Sequence, residues 1–428
     1  MRHQRIKKFS PLLLPLFSAA AYGNDFGAEI SLVTFHTDNA LRTPLQQISE
    51  RQDEYSLGLT GDYTNQLLVL ETEYRLQEYR FAKESQSDRT TIEGDTSLLI
   101  GKEYHVADLL LTHSRRTVSN ALDSVDLLEN LDERQIISAA PTLRFRLSEV
   151  DSLQLRGDVS KIDYRYAEAR ESERTGASVM WLHRLSAVDS FNLSARYIDV
   201  DYDFIPDSGY EYQQFLASYS AQLSQLAYTV QLGYNASKPE QGEDLSAPSY
   251  RLDVAYTTGA NIISLVVDQH ITDTSMGDGN SSDLFDVTSP NDVGDVGFDQ
   301  IDRRSLELSI TNTSLCGLCT FGLGLRARDD SYEVLNEDNQ ELTADVRFDY
   351  RLSRRASVGL NVSYLSQEFA DEVVREDYTQ TRTRIYYRQS FVSNFTFELS
   401  AGTEERKSDD ALQTYDEVLG GITLSYSF

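Results

Sequence analysis

The 428-residue chain carries 39 basic and 68 acidic side chains, a formal net charge of -29, and so excludes bulk electrostatic binding of nucleic acid or anionic lipid. Beyond its first residues no uninterrupted apolar run approaches the length of a spanning helix, and the mean hydropathy is -0.42. One membrane architecture escapes that test, because in a transmembrane barrel only every second residue faces lipid.

The first segment reads as a secretory leader. Arg2, Arg5, Lys7 and Lys8 precede a short apolar core of Leu12, Leu13, Leu14, Leu16 and Phe17. Ala21-Tyr22-Gly23 then sets small residues where a signal peptidase reads. Pro15 breaks the run, which argues against a membrane anchor. The expected division is a signal peptide over 1–23 and a barrel domain over 24–428. Removing the four basic leader residues takes the net charge from -29 to -33.

Strand-like alternation follows in chain order. It is noisy over Leu67 to Phe81 and Thr90 to Tyr104, and clearer at Tyr228/Val230/Leu232/Tyr234 and Tyr250/Leu252/Val254/Tyr256. It continues at Phe321/Leu323/Leu325/Ala327, Ala356/Val358/Leu360/Val362/Tyr364 and Phe395/Phe397/Leu399/Ala401. Between Leu342 and Leu352 the apolar set alternates with Thr343, Asp345, Arg347, Asp349 and Arg351. A sandwich core would reject that charged face, whereas a wet lumen accepts it. Twenty-five tyrosines against one tryptophan suit strands and aromatic girdles at the bilayer interfaces.

Connectors alternate between short and long. Short turns are predicted near 64–66, 106, 148–151, 186–189, 224–225, 259–261, 315–318, 353–355 and 392–393. Longer polar segments lie near 37–52, 82–89, 118–132, 167–172, 204–209, 237–248, 273–300, 334–339, 370–377 and 406–414. The fold class predicted is all-β: a transmembrane antiparallel β-barrel of about twenty strands, with eighteen as the alternative, short periplasmic turns and long extracellular loops. The turns "SEVDS" (148–152) and "SAVDS" (186–190) are near-repeats of one hairpin unit.

Near the end, Val418, Gly420, Ile422, Leu424, Tyr426 and Phe428 alternate with Leu419, Gly421, Thr423, Ser425 and Ser427. This resembles the C-terminal strand signature read by the outer-membrane barrel-assembly machinery, with Tyr426 and Phe428 as the insertion signal. Tyrosine-rich strands, acidic tyrosine-containing loops and segments such as "YRLSRRASVGLNVSY" (350–364) resemble the β-barrel porin families of Proteobacteria. Some of those families are linked with exopolysaccharide-secretion or protein-sorting gene clusters. The resemblance implies a Gram-negative outer-membrane location, lipid and lipopolysaccharide around the barrel, and polysaccharide-export components as partners. It carries over no catalytic residue and no cofactor.

Arg144, Arg146, Arg156, Asp158, Arg196, Arg251, Asp253 and Glu307 fall on the polar phase. So do Arg326, Arg328, Asp345, Arg347, Asp349, Arg351, Arg382, Arg384 and Arg388, the better candidates for lumen-lining charge. Two readings stand: an anion-attracting stripe along one wall, or pairing across strands that fills a wet interior. The aspartate-rich segment 273–300 has no basic residue and no EF-hand spacing, and reads as a solvated loop or a lumenal constriction before a Ca²⁺ site. Cys316 and Cys319, in "CGLC", read as a disulfide closing a periplasmic turn rather than a redox or zinc site. His36, His105, His113, His183 and His270 are scattered and show no metal spacing. The function expected is a pore or export conduit for a polar solute or polysaccharide, not an enzyme. A non-conducting barrel whose loops bind a partner is the alternative, and a barrel-embedded hydrolase the lesser one.

Overall fold

Period-two patterning becomes twenty antiparallel strands in the computed structural model. The residues it describes are 25–101, 106–119, 124–125, 127–204, 208–274, 299–333, 337–371, 375–392 and 394–428. The predicted leader lies outside them, as does 275–298 of the long acidic connector. The first strands are β1 (Asp25–Thr37), β2 (Glu50–Thr64), β3 (Leu68–Phe81), β4 (Arg89–Ile100) and β5 (Ala107–Ser119). Next come β6 (Leu131–Arg146), β7 (Asp151–Tyr164), β8 (Ser172–Arg184), β9 (Asp189–Tyr202) and β10 (Tyr210–Gln222). The second half holds β11 (Leu226–Pro239), β12 (Leu245–Thr257), β13 (Asn261–Asp273), β14 (Gln300–Asn312) and β15 (Cys319–Tyr332). It ends with β16 (Asn339–Arg351), β17 (Ala356–Phe369), β18 (Tyr378–Ser390), β19 (Phe395–Ser408) and β20 (Tyr415–Ser427).

Each strand pairs with its neighbours in the chain, and β1 also pairs with β20, Glu29 lying opposite Ser427 and Thr37 opposite Leu419. The sheet therefore closes at twenty strands, and closure removes the free edges that lipid cannot solvate. Short turns gather at one end and longer connectors at the other, within a residue or two of most predicted positions. The two near-repeat turns share one device. Ser148 donates from Oγ to Asp151 Oδ2 at 2.7 Å, and Ser186 donates in the same way to Asp189. The hydroxyl and carboxylate satisfy turn groups that no ladder reaches.

Inside and outside follow from phase. Leu232, Phe215, Ile385, Leu399 and Val418 stand on the outer phase and are exposed, at 50–62% of their surface. Outer-phase aromatics form two rings. Phe145, Trp181, Tyr228, Tyr256, Phe321 and Tyr350 lie near the turns, and Tyr55, Tyr74, Tyr197, Phe215, Tyr234 and Tyr250 lie nearer the long connectors. An apolar belt between aromatic girdles is the surface of an outer-membrane barrel.

The interior inverts the usual globular order, in which arginine is almost never fully buried unless paired. Its largest fully buried side chains include Arg134, Arg174 and Arg406. Tyrosine usage departs from the sequence expectation. Tyr164, Tyr202, Tyr210, Tyr212, Tyr378, Tyr386 and Tyr415 are buried on the lumenal phase, so tyrosine abundance reflects interior packing as well as girdles. Gly359 on β17 makes one of these positions possible. A Cβ there would fall within the Tyr386 ring, which crosses the glycine to donate its hydroxyl to Asp349. Gly359→Ala is expected to cost about 1–3 kcal/mol, read as a lower temperature of heat-modified migration on gels.

Candidate functional site

The periplasmic half of the lumen holds most of the predicted charges. Arg326 donates to Glu307 at 2.8 Å, and Arg328 is paired with Asp330 and Glu341 at 3.3 and 2.9 Å. Arg347 binds Asp349 at 2.6 Å, and Arg382 binds Glu404 at 2.8 Å. Arg384 and Arg388 share Glu398, at 2.6 and 2.7 Å. Asp345 faces Gly324 and Ser363 across the ladders, and Arg351 is exposed beside the β16–β17 turn. On the earlier wall Arg144 is paired with Asp108, Arg156 with Asp158 and Arg251 with Asp253. Pairing both across and along strands therefore lowers the field of the arginine stripe, and the surplus of arginine over acid is greatest at the turn end.

Extracellularly the lumen narrows. The β12–β13 ladder stops at Tyr250 opposite Gln269, whereas β13 and β14 stay paired up to Asp273 opposite Gln300. Freed from β12, the hairpin stem leaves the wall. Every residue from Asp268 to Thr274 is buried, as are Asp299, Gln300 and Ile301. Ile271 packs in one cluster with Ile198, Val200, Tyr202, Tyr210, Tyr212 and Ala247 from the lumenal faces of β9, β10 and β12. Asp273 accepts from Arg174 of β8 at 2.8 and 2.7 Å, and from the Tyr210 hydroxyl. Both Arg174 and Asp273 have fully buried side chains. An ion pair this dry persists only when geometry and extra hydrogen bonds offset desolvation, and Tyr210 supplies one such bond. The stem of the predicted acidic loop is thus anchored across the lumen, five strands from its own position.

Two other groups narrow the same end. Arg42, in the β1–β2 connector, reaches Glu417 at 3.0 Å and Glu404 at 3.5 Å, and its guanidinium lies over Tyr415. Thr37 donates to Glu417 at 2.6 Å, while Gln380 and Tyr415 both donate to Glu404 at 2.6 Å. Arg406 of β19 stacks 3.6 Å from the Tyr378 ring centre and donates to the Ser124 carbonyl at 3.4 Å, in the β5–β6 connector. The outer mouth is therefore narrowed by connectors bonded to distant strands, and the periplasmic mouth is ringed by short turns.

Cys316 and Cys319 are joined by a disulfide in the β14–β15 turn, with Cα atoms 5.1 Å apart, and Cys319 N donates to the Cys316 carbonyl at 3.1 Å. Tyr426 and Phe428 stack edge-on at 4.8 Å, and Phe428 N donates to the Ala28 carbonyl at 2.8 Å, extending the seam between β20 and β1. A hydroxyl, an acid and a histidine do meet, in an arrangement that no local motif marks. His270 Nδ1 lies 2.6 Å from Asp268 Oδ2, and Ser305 donates to Asp268 Oδ1. The serine is bonded to the carboxylate and not to the imidazole, so the nucleophile–base contact of a hydrolytic triad is missing. Among the described residues no three His, Cys, Asp or Glu side chains converge as metal ligands.

Closure, the apolar belt and the charged interior define this chain as an outer-membrane β-barrel, located in the bacterial outer membrane. The sequence matches no known protein-family profile and no curated protein. Solved structures that overlap it include OpdK of Pseudomonas aeruginosa with vanillate, at 10% identity over 94% of this chain and 98% of that one, TM-score 0.40. OccK2 (OpdF) of Pseudomonas aeruginosa in complex with glucuronate gives 8% identity, coverage of 95% and 98%, and TM-score 0.41. An OmpT of Vibrio cholerae lacking loop L8 gives 12% identity, coverage of 95% and 99%, and TM-score 0.39. Overlaps this loose carry no argument about what the present chain conducts.

Proposed function

We propose that the protein is a pore for small polar solutes. The carrying observation is the closed ring of twenty strands, since barrels of sixteen to eighteen already leave an aqueous channel. The latched hairpin and its neighbouring connectors narrow that channel at one end only, which favours a size-limited path. Liposomes containing the folded protein are expected to swell in small sugars and progressively less in larger ones. Swelling no faster than in empty vesicles would sink this reading.

Ion selectivity tests the wall. Replacing Arg347, Arg382, Arg384 and Arg388 with glutamine should shift permeability from anions toward cations, because Asp349 and Glu398 would lose their arginine partners and Glu404 would keep only Arg42. Unchanged reversal potentials in a salt gradient would remove these residues from any role in selectivity. Polysaccharide export is a finer reading of the same lumen, and it requires the hairpin to swing clear. The second reading is a non-conducting barrel that binds a partner through its loops, contacting lipopolysaccharide around its outer belt. It is favoured by bonds between connectors: Gln86 to the Ala40 carbonyl at 3.3 Å, Leu128 N to Gln86 at 3.0 Å, and Arg375 to Glu337 at 2.8 Å.

A further inference from the structure

We infer that the periplasmic rim at β16–β18 is a capture port for polyanions, so that an extended carboxylated chain enters this pore from the periplasm and not from outside. The inference rests on the pore reading and deepens it by naming a substrate class and a direction.

The ladder registers build the port. Arg351, Ser357 and Arg388 lie in one cross-strand row on the lumenal phase, and Arg347, Asn361 and Arg384 lie in another, four residues further along the strands. Between these rows sit Asp349, Gly359 and Tyr386. Strand β17 contributes Ser357 and Asn361 beneath the two rows, the Tyr386 ring lies over Gly359 between them, and the arginines stand on the strands to either side. Arg347, Arg384 and Arg388 are 60%, 47% and 46% exposed. The two arginine rows, four residues apart along the strands, are separated by roughly 13 Å, so each can meet a separate charge of an extended polymer.

The groove runs out onto the β16–β17 turn, where Arg351, Arg354 and Arg355 are all exposed. These six arginines are countered by two carboxylates, Asp349 and Glu398, each already engaged. Among the described residues no comparable surplus occurs elsewhere at this end. The other short turns carry no net positive charge among the described residues, and the β1–β3 side of the rim is acidic through Asp25, Asp62 and Glu71. Polarity along the axis adds direction. The described extracellular connectors expose acidic residues, among them Glu240, Glu243, Asp244 and Asp409, beside few basic ones. A polyanion is therefore repelled at the outer mouth and attracted at one sector of the inner mouth.

The test uses single channels of the full-length protein inserted with known orientation, with oligogalacturonate as probe and neutral dextran of matched size as control. Oligogalacturonate should block from the periplasmic side at about tenfold lower concentration than from the extracellular side, and dextran should show no sidedness. The variant R351S/R354S/R355S should lose that difference, and R354K/R355K should retain it. Equal block from both sides, or sidedness unchanged in the triple serine variant, would overturn the port. If the wild-type channel passes no current, the pore reading fails separately. Oligogalacturonate binding to the detergent-solubilised barrel then still reads the port, and equal affinity in wild type and triple variant would overturn it.

Discussion

Replacing Arg174 with methionine is expected to release the β13–β14 hairpin and give a long-lived state of higher single-channel conductance. The substitution takes the guanidinium from Asp273, leaving the carboxylate without that counter-charge inside an apolar and tyrosine cluster where the Tyr210 hydroxyl still donates to it. Breaking a buried pair in this way costs about 3–5 kcal/mol. A penalty of that size is enough to move a two-state element by a factor of about a hundred or more. The hairpin is the element able to relieve it, because its upper half has no ladder to β12 and Asp273 can return to water. The double variant R174M/D273L supplies the control. Leucine in place of the carboxylate would pack with Ile271, Val200 and Tyr212, so the stem should fold back inward and conductance should return toward the wild-type value. Equal conductance in wild type, single and double variants would show that the hairpin does not set the opening.

Phe428→Ala is expected to reduce the folded barrel recovered from outer membranes severalfold, with little effect on the stability of molecules that do fold. The edge-on contact with Tyr426 accounts for only about 0.5–1.5 kcal/mol, and the ring is 65% exposed. The backbone bond from Phe428 N to Ala28 survives the substitution. A large loss of assembled protein with a small shift in unfolding midpoint therefore separates recognition by the assembly machinery from fold energy. A matching fall in both would make the aromatic a structural residue instead.

The barrel was legible because lipid on one face and water on the other impose a strict period of two, which Leu342 to Leu352 shows in a single segment. The short turns were legible for a related reason: "SEVDS" and "SAVDS" carry the serine and aspartate that bond to each other. A lumenal constriction is one of the two readings of segment 273–300, but the latch that holds its stem was not legible. Arg174 and Asp273 are 99 residues apart and lie in separate hairpins, and nothing local marks either as buried. Asp273 reads only as the first residue of an acidic segment, solvated or folded into the lumen. Tyr386 was missed for a different reason, since alternation sorts polar from apolar and tyrosine belongs to both. Its phase, shared with Arg384 and Arg388 and opposite Gly359, was the available signal. The arginine stripe was visible, but its partners Glu307, Glu398 and Glu404 sit on neighbouring strands whose register only the ladder fixes.

Conductance of the purified, refolded protein in a planar bilayer tests the central claim most directly, namely that this is a membrane barrel with a continuous aqueous lumen. Heat-modifiable migration of the same sample establishes beforehand that it is folded. The account predicts discrete current steps that scale with salt concentration and grow in the Arg174→Met variant. A folded, heat-modifiable preparation that inserts into the bilayer and yields no steps in either protein would contradict it.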